Sequence, residues 1–177
     1  MLATILNRRD LLAGAAATCL PLRFSFGHAH RQTHPQDSLG QGPITGIVPC
    51  DGGLLVAQES RLWLVDSDSL EPLESFELPL AKTTRLVGLG DSRVLVVGGD
   101  PGERGVLLEV RLESHGLTEL MRFESEGDLF EDAAAVAGDS QFWIAGRDQK
   151  ITGVDRRDPT QPARQLEVHS GAVTRVI

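Results

Sequence analysis

The sequence predicts a nearly all-β chain built from a recurring four-strand unit, and three observations predict it. From residue 43 onward the apolar residues come in runs of four to six, bounded by Gly, Asp, Ser and Pro. That is the signature of strands and not the 3.6-residue periodicity of helices. The order of the runs repeats: Ile47, Leu89, Val136 and Val176 each close a pair of apolar residues three apart, at intervals of 42, 47 and 40 residues. The 177 residues include 19 Gly and 9 Pro but no Tyr, with 41% hydrophobic and 24% charged, a composition of short elements joined by many turns. This length suits one compact domain and excludes two large ones.

The elements follow in chain order. Asn7-Arg8-Arg9-Asp10-Leu11-Leu12-Ala13 leads into an Ala-rich, weakly apolar stretch ending near Leu22. Positive charge before about a dozen apolar residues is the layout of a cleavable export signal, too short to span a bilayer. Arg8 and Arg9, one residue, then Leu11 and Leu12 resemble the twin-arginine leader, with Leu11 where Phe is commoner. An ordinary secretory leader or an amphipathic first helix is the alternative. Gly27-His28-Ala29 offers small residues for cleavage, so residues 1–29 are expected to be the export signal, which places the chain in the periplasm or cell envelope. Ala15-Ala16-Ala17 is a second cleavage candidate. Thr18 before Cys19, with Ala16 where the lipoprotein signal has Leu, argues against a lipoprotein signal. Loss of the leader leaves Cys50 alone, so no intrachain disulfide can form and packing must hold the fold. Residues 30–42, polar and carrying His30 and His34, read as a solvated linker and not as a metal site.

Residues 43–177 hold the repeat. The opening pairs are Ile44 and Ile47, Leu86 and Leu89, Ala133 and Val136, and Val173 and Val176. A turn follows each of the first three: Cys50-Asp51-Gly52-Gly53, Gly90-Asp91-Ser92 and Gly138-Asp139-Ser140. A buried strand comes next, at 54–57, 94–97 and 142–145, then an alternating strand at 61–65, 106–112 and 151–154. An amphipathic strand closes each unit, at 73–78, 117–123 and 163–168. Only 129–136, with its Asp, Glu and Ala, allows a helical turn.

At this point the chain resembles the WD-repeat β-propeller family, whose blades carry four antiparallel strands over about 40–45 residues. Trp63-Leu64-Val65-Asp66 stands where the family has its Trp-Asp ending, with the dipeptide split, and Asp155 ends the equivalent strand of the third unit. His169-Ser170-Gly171-Ala172-Val173-Thr174-Arg175-Val176 matches the opening of a blade, and Gly146-Arg147-Asp148-Gln149-Lys150-Ile151 matches its Gly-x-Asp-x-x-Ile turn. The first two units lack the His, and the second lacks both the Trp and the Asp. The resemblance implies a partial β-propeller of about three four-stranded antiparallel blades plus the first strand of a fourth, with His169 in a structural hydrogen-bonding role. Three blades cannot close a ring. The chain is then the N-terminal part of a longer propeller, completes its ring with a partner or copy of itself, or folds as an open partial propeller; the first is favoured.

No constellation of catalytic residues emerges. Gly98-Gly99-Asp100-Pro101-Gly102-Glu103-Arg104-Gly105 lacks the Lys-Ser/Thr of a phosphate loop and precedes a strand, so it reads as a hairpin loop. The acidic residues Glu124, Glu126, Asp128, Glu131 and Asp132 lack the order of a calcium loop and read as a solvated loop. Trp63 and Trp143 are expected between blades. His115 and His169 have no Ser, Cys or carboxylate at relay spacing, and Arg156-Arg157-Asp158-Pro159 reads as a capped surface turn. The formal charge of −8, with no basic cluster beyond the first 25 residues, disfavours nucleic acid as a partner. The expectation is an exported, non-enzymatic scaffold with no catalytic, cofactor or metal residues. It would bind a protein through rim loops at 66–71, 98–105 and 155–161. An envelope propeller enzyme of lactonase or quinoprotein type, or a fragment of a larger propeller sensor, is the alternative.

Overall fold

A computed structural model of the chain describes residues 39, 42–114, 116–136 and 140–167. The expected export signal, nearly all of the expected linker, and the strand opening a fourth unit at 169–177 lie outside the described residues, as do His115 and His169.

Twelve strands and no helix make up the described residues. They are β1 (Ile44–Cys50), β2 (Gly53–Gln58), β3 (Arg61–Val65), β4 (Pro72–Glu77), β5 (Lys82–Gly90), β6 (Arg93–Asp100), β7 (Arg104–Glu113), β8 (Gly116–Glu126), β9 (Phe130–Ala135), β10 (Gln141–Gly146), β11 (Lys150–Asp155) and β12 (Asp158–Glu167). They form three separate four-stranded antiparallel sheets, β1 to β4, β5 to β8 and β9 to β12, each with its strands in sequence order. These are three consecutive blades of a propeller, β1, β5 and β9 being the strands through which each sheet meets the next. Tight turns explain the simple order. Asp91 and Ser92, at φ 50° and 54°, make the two-residue hairpin turn whose twist matches antiparallel strands.

Two apolar cores lie between the sheets. The first joins Val48, Leu55, Ala57 and Leu62 of blade 1 to Leu86, Val94, Val96, Val106 and Leu108 of blade 2. The second joins Leu95, Val97, Leu107, Met121 and Phe123 of blade 2 to Phe130, Ala133, Phe142, Ile144 and Val154 of blade 3. Successive residues of a strand face opposite ways, so the hydrophobic runs of β6 and β7 serve both cores at once. Glycines mark where backbones come closest. A Cβ on Gly46 would sit 2.8 Å from the backbone nitrogen of Leu86, and one on Gly105 would sit 2.6 Å from the Phe130 ring. That ring stacks on Phe123, with centroids 6.0 Å apart.

Three expectations are corrected. Residues 129–136 hold strand β9 and not a helical turn, because hydrogen bonding to β10 and burial of Phe130 and Ala133 outweigh the helical preference of Ala and Glu. The opening apolar pairs divide between the two faces of their sheets. Residues three apart lie on opposite faces, so Leu86 and Leu89 serve the two cores of the middle blade, while Ile44, Ile47 and Val136 in the flanking blades stay about half exposed. The two tryptophans do not pack between the described blades: Trp63 lies on the face of blade 1 turned away from blade 2, and Trp143 covers Gly153 on the outward face of blade 3. The stretch 155–161 is no long loop, since only Arg156 and Arg157 turn and β12 begins at Asp158. Its Pro159 and Pro162 are accommodated because β12 is an edge strand.

Candidate functional site: the two rims of the blade stack

Antiparallel order within each sheet sorts the turns onto two rims. The first rim carries the β1–β2 turn, the 66–71 turn between β3 and β4, the β5–β6 turn and the β11–β12 turn. The second carries the β2–β3 turn, the linker from β4 to β5, the β6–β7 turn and the linker from β8 to β9. The three loops singled out in the sequence therefore do not converge: 66–71 and 155–161 share a rim, and 98–105 lies on the opposite one.

On the first rim, Asp66 builds its own turn. One oxygen of its carboxylate accepts from the backbone nitrogens of Asp68 (3.0 Å) and Ser69 (2.8 Å) and from the Ser69 hydroxyl (3.0 Å). These bonds, the Ser69 amide first, hold the Asp66 carboxyl below the usual carboxylate range. The locked turn places Leu70 at φ 59° and 63% exposed, and Leu73, the second residue of β4, is 55% exposed. An apolar side chain in left-handed backbone, presented to water by a rigid turn, is costly to keep and suited to contact. On the same rim Ser92 Oγ donates to Asp51 across the first interface (2.7 Å), and Arg156 reaches buried Glu109 across the second.

The second rim is a lattice of charges. Asp100 accepts from Arg104 Nε (2.6 Å) and from the Ala81 backbone nitrogen (2.7 Å), and those two bonds lower its pKa, the Arg104 bond most. Arg104 also reaches Glu124 (2.9 Å), which is shared with Arg122 (3.2 Å). Asp128 accepts from the backbone nitrogens of Leu129 (2.7 Å) and Gly102 (3.2 Å), tying two neighbouring turns together. Glu131 pairs with Arg147, and Asp132, almost fully buried, pairs with Arg85 at 3.2 Å. The acidic run expected as a solvated loop is thus mostly strand: Glu124 and Glu126 end β8, Glu131 and Asp132 belong to β9, and all but Glu126 hold partners. Gly98, Gly99 and Asp100 end β6 and Pro101 to Glu103 make the turn, a hairpin as expected.

Between the inner ends of β1 and β5, a shallow cleft of about 270 Å³ opens on the second rim. Pro43, Thr45, Glu59, Ala81 and Lys82 line it. Among the described residues, no group of three or more His, Cys, Asp or Glu is placed to hold a metal ion. Sequence reasoning placed Arg156 in a surface turn but missed its bridge to Glu109, which Arg93 joins, because the residues lie far apart in the chain; the only signal was a Glu inside the otherwise apolar run 106–112.

No protein-family model matches the chain, and no curated protein matches it. Solved structures do. The crystal structure of the RRP9 WD40 repeats superposes with a TM-score of 0.59 at 14% identity, over 75% of this chain and 41% of that one. The structure of U3-55K gives a TM-score of 0.59 at 15% identity, over 75% of this chain and 42% of that one. The chain spans about two fifths of the length of these structures. At such identity the likeness is one of architecture: three four-stranded blades of a WD40-type β-propeller.

Proposed function

We propose that the chain is an exported, non-enzymatic β-propeller scaffold that engages another protein through its rim loops. The observation that carries this reading is the turn at 66–71, where Asp66 fixes the backbone and Leu70 is held out in water, with Leu73 exposed at the start of β4. A rigid loop with an apolar tip on a rim that the strands do not need for packing is how such folds make protein contacts. Export rests on the Arg8-Arg9 leader. Likeness of fold to the RRP9 and U3-55K structures supports a scaffold by analogy.

The test has two arms. Proximity labelling from the chain in its native host should enrich envelope proteins, and Leu70→Asp with Leu73→Asp should abolish the labelling of one of them while the strand signal in circular dichroism is unchanged. Arg8→Lys with Arg9→Lys should retain the chain in the cytoplasm. Labelling that ignores Leu70 and Leu73 would remove the rim from the reading. A second reading, that these blades belong to a larger propeller, is favoured by the two-fifths span of the solved structures. Codons continuing in frame past Ile177 with further blades would decide for it.

A further inference from the structure

Blade 1 has two apolar faces, and blade 2 covers one of them. On the other face Val56, Trp63 and Val65 are 4%, 4% and 2% exposed, as dry as the residues between blades. No four-stranded sheet lies on that side among the described residues. The side chain seen packed against this cluster from outside the sheet is Leu39, five residues before β1. Gly42, two residues before β1, is anchored as well. Buried Gln58 donates through Nε2 to the Gly42 carbonyl at 2.5 Å, and Gly42 lies so close to Glu59 that a Cβ there would come within 2.9 Å of its carboxylate. Ile47, the register partner of Val56 on the same face, remains 56% exposed, so the cover is local and ends short of the inner strand.

We propose that Leu39 is a built-in plug: it occupies the place of a neighbouring sheet on the open face of blade 1, and an apolar β-sheet joining that face must first displace it. Tethering favours this occupant over a second copy of the chain, because Leu39 is held within a few residues of its seat at any protein concentration. The fit also marks it as a placeholder. Trp63 Nε1 is buried with no hydrogen-bond partner among the described residues, whereas an indole N–H inside a well-fitted interface finds an acceptor. A neighbouring sheet has backbone carbonyls to offer; a leucine side chain has none. The inference stands on packing alone and is independent of the rim reading.

The test uses the full chain with Trp143→Phe, so that Trp63 is the sole fluorophore, and reads emission maximum and acrylamide quenching. Leu39→Asp should raise the quenching constant several-fold and shift emission to the red with strand content intact, and Leu39→Met should behave as the parent. Unchanged quenching in folded Leu39→Asp would overturn the proposal. If Leu39→Asp does not fold, Leu39→Ala takes its place, with increased quenching in support and parental quenching against. Dilution of the parent supplies the second arm: quenching independent of concentration supports the plug. Quenching that rises as a dimer dissociates would make a second copy the cover and overturn it.

Discussion

Arg156 in the β11–β12 turn lays its guanidinium on the fully buried carboxylate of Glu109 in β7, Nε 2.6 Å from one oxygen and Nη2 2.5 Å from the other. The pair is two-pronged, joins blade 3 to blade 2, and has Arg93 Nη1 at 3.4 Å as a third member. A carboxylate removed from water is tolerated only when charges of the opposite sign enclose it. Glu109 therefore makes the second interface depend on the position of one turn.

Arg156→Ala is expected to destabilise the chain by about 3 kcal/mol, the cost of leaving a buried charge short of its partner. The double variant Glu109→Leu with Arg156→Met should recover most of that loss, since an apolar pair of similar volume needs no desolvated charge. Urea unfolding of the two variants checks both outcomes.

Gly46→Ala and Gly105→Ala test the close approaches at the two interfaces. Each adds a single methyl, yet Gly46 faces the Leu86 backbone and Gly105 faces the Phe130 ring. Overpacking of this kind costs about 1–3 kcal/mol. Gly46→Ala should be the more damaging, because a backbone in a sheet cannot rotate aside as a ring can. Thermal unfolding monitored by circular dichroism ranks them.

Acid should loosen the second rim. Asp100 and Asp128 have depressed pKa values, Asp100 through Arg104 and the Ala81 amide, Asp128 through the Leu129 and Gly102 amides. A carboxyl whose folded pKa lies below its unfolded one stabilises fully above the ordinary carboxylate range. That contribution fades as pH falls below about 4 and is gone once pH passes below the folded value. The urea midpoint of the parent should drop over this window, and Asp100→Asn should flatten the drop. An equally steep fall in the variant would assign the acid sensitivity elsewhere.

Cys50 should alkylate slowly. Burial first, and the neighbouring Asp51 charge second, push its thiol above the usual range, so less thiolate is present at pH 8 than for a free cysteine. In a Cys19→Ser background, iodoacetamide should react more slowly than with a cysteine peptide, and Asp51→Asn should speed it modestly. Mass spectrometry over time gives both rates.

Much of this architecture was legible because strands and turns announce themselves locally. β3 is legible at its full span from Arg61-Leu62-Trp63-Leu64-Val65, and β10 from Phe142-Trp143-Ile144-Ala145, one residue short at each end. What escaped depends on which face of a sheet meets which neighbour. The outward placement of Trp63 and Trp143, and the exposure of Ile47 beside buried Val48, follow from alternation combined with blade position, and only the second of these is missing from sequence. β9 was obscured because Ala133, Ala134 and Ala135 favour helices in isolation, while pairing to β10 decides the matter. The Glu109–Arg156 bridge was invisible for a simpler reason: the two residues are 47 apart in the chain, and nothing local couples them.

The prolines of β12 have a consequence for the behaviour of the molecule in concentrated solution. Pro159 and Pro162 offer no amide hydrogen to a visiting strand, so this outer border is a poor template for amyloid-like zipping. Association on the outer side of blade 3 is then expected to favour stacking flat against it, around Trp143, where a polar residue would be the economical route to a more soluble protein.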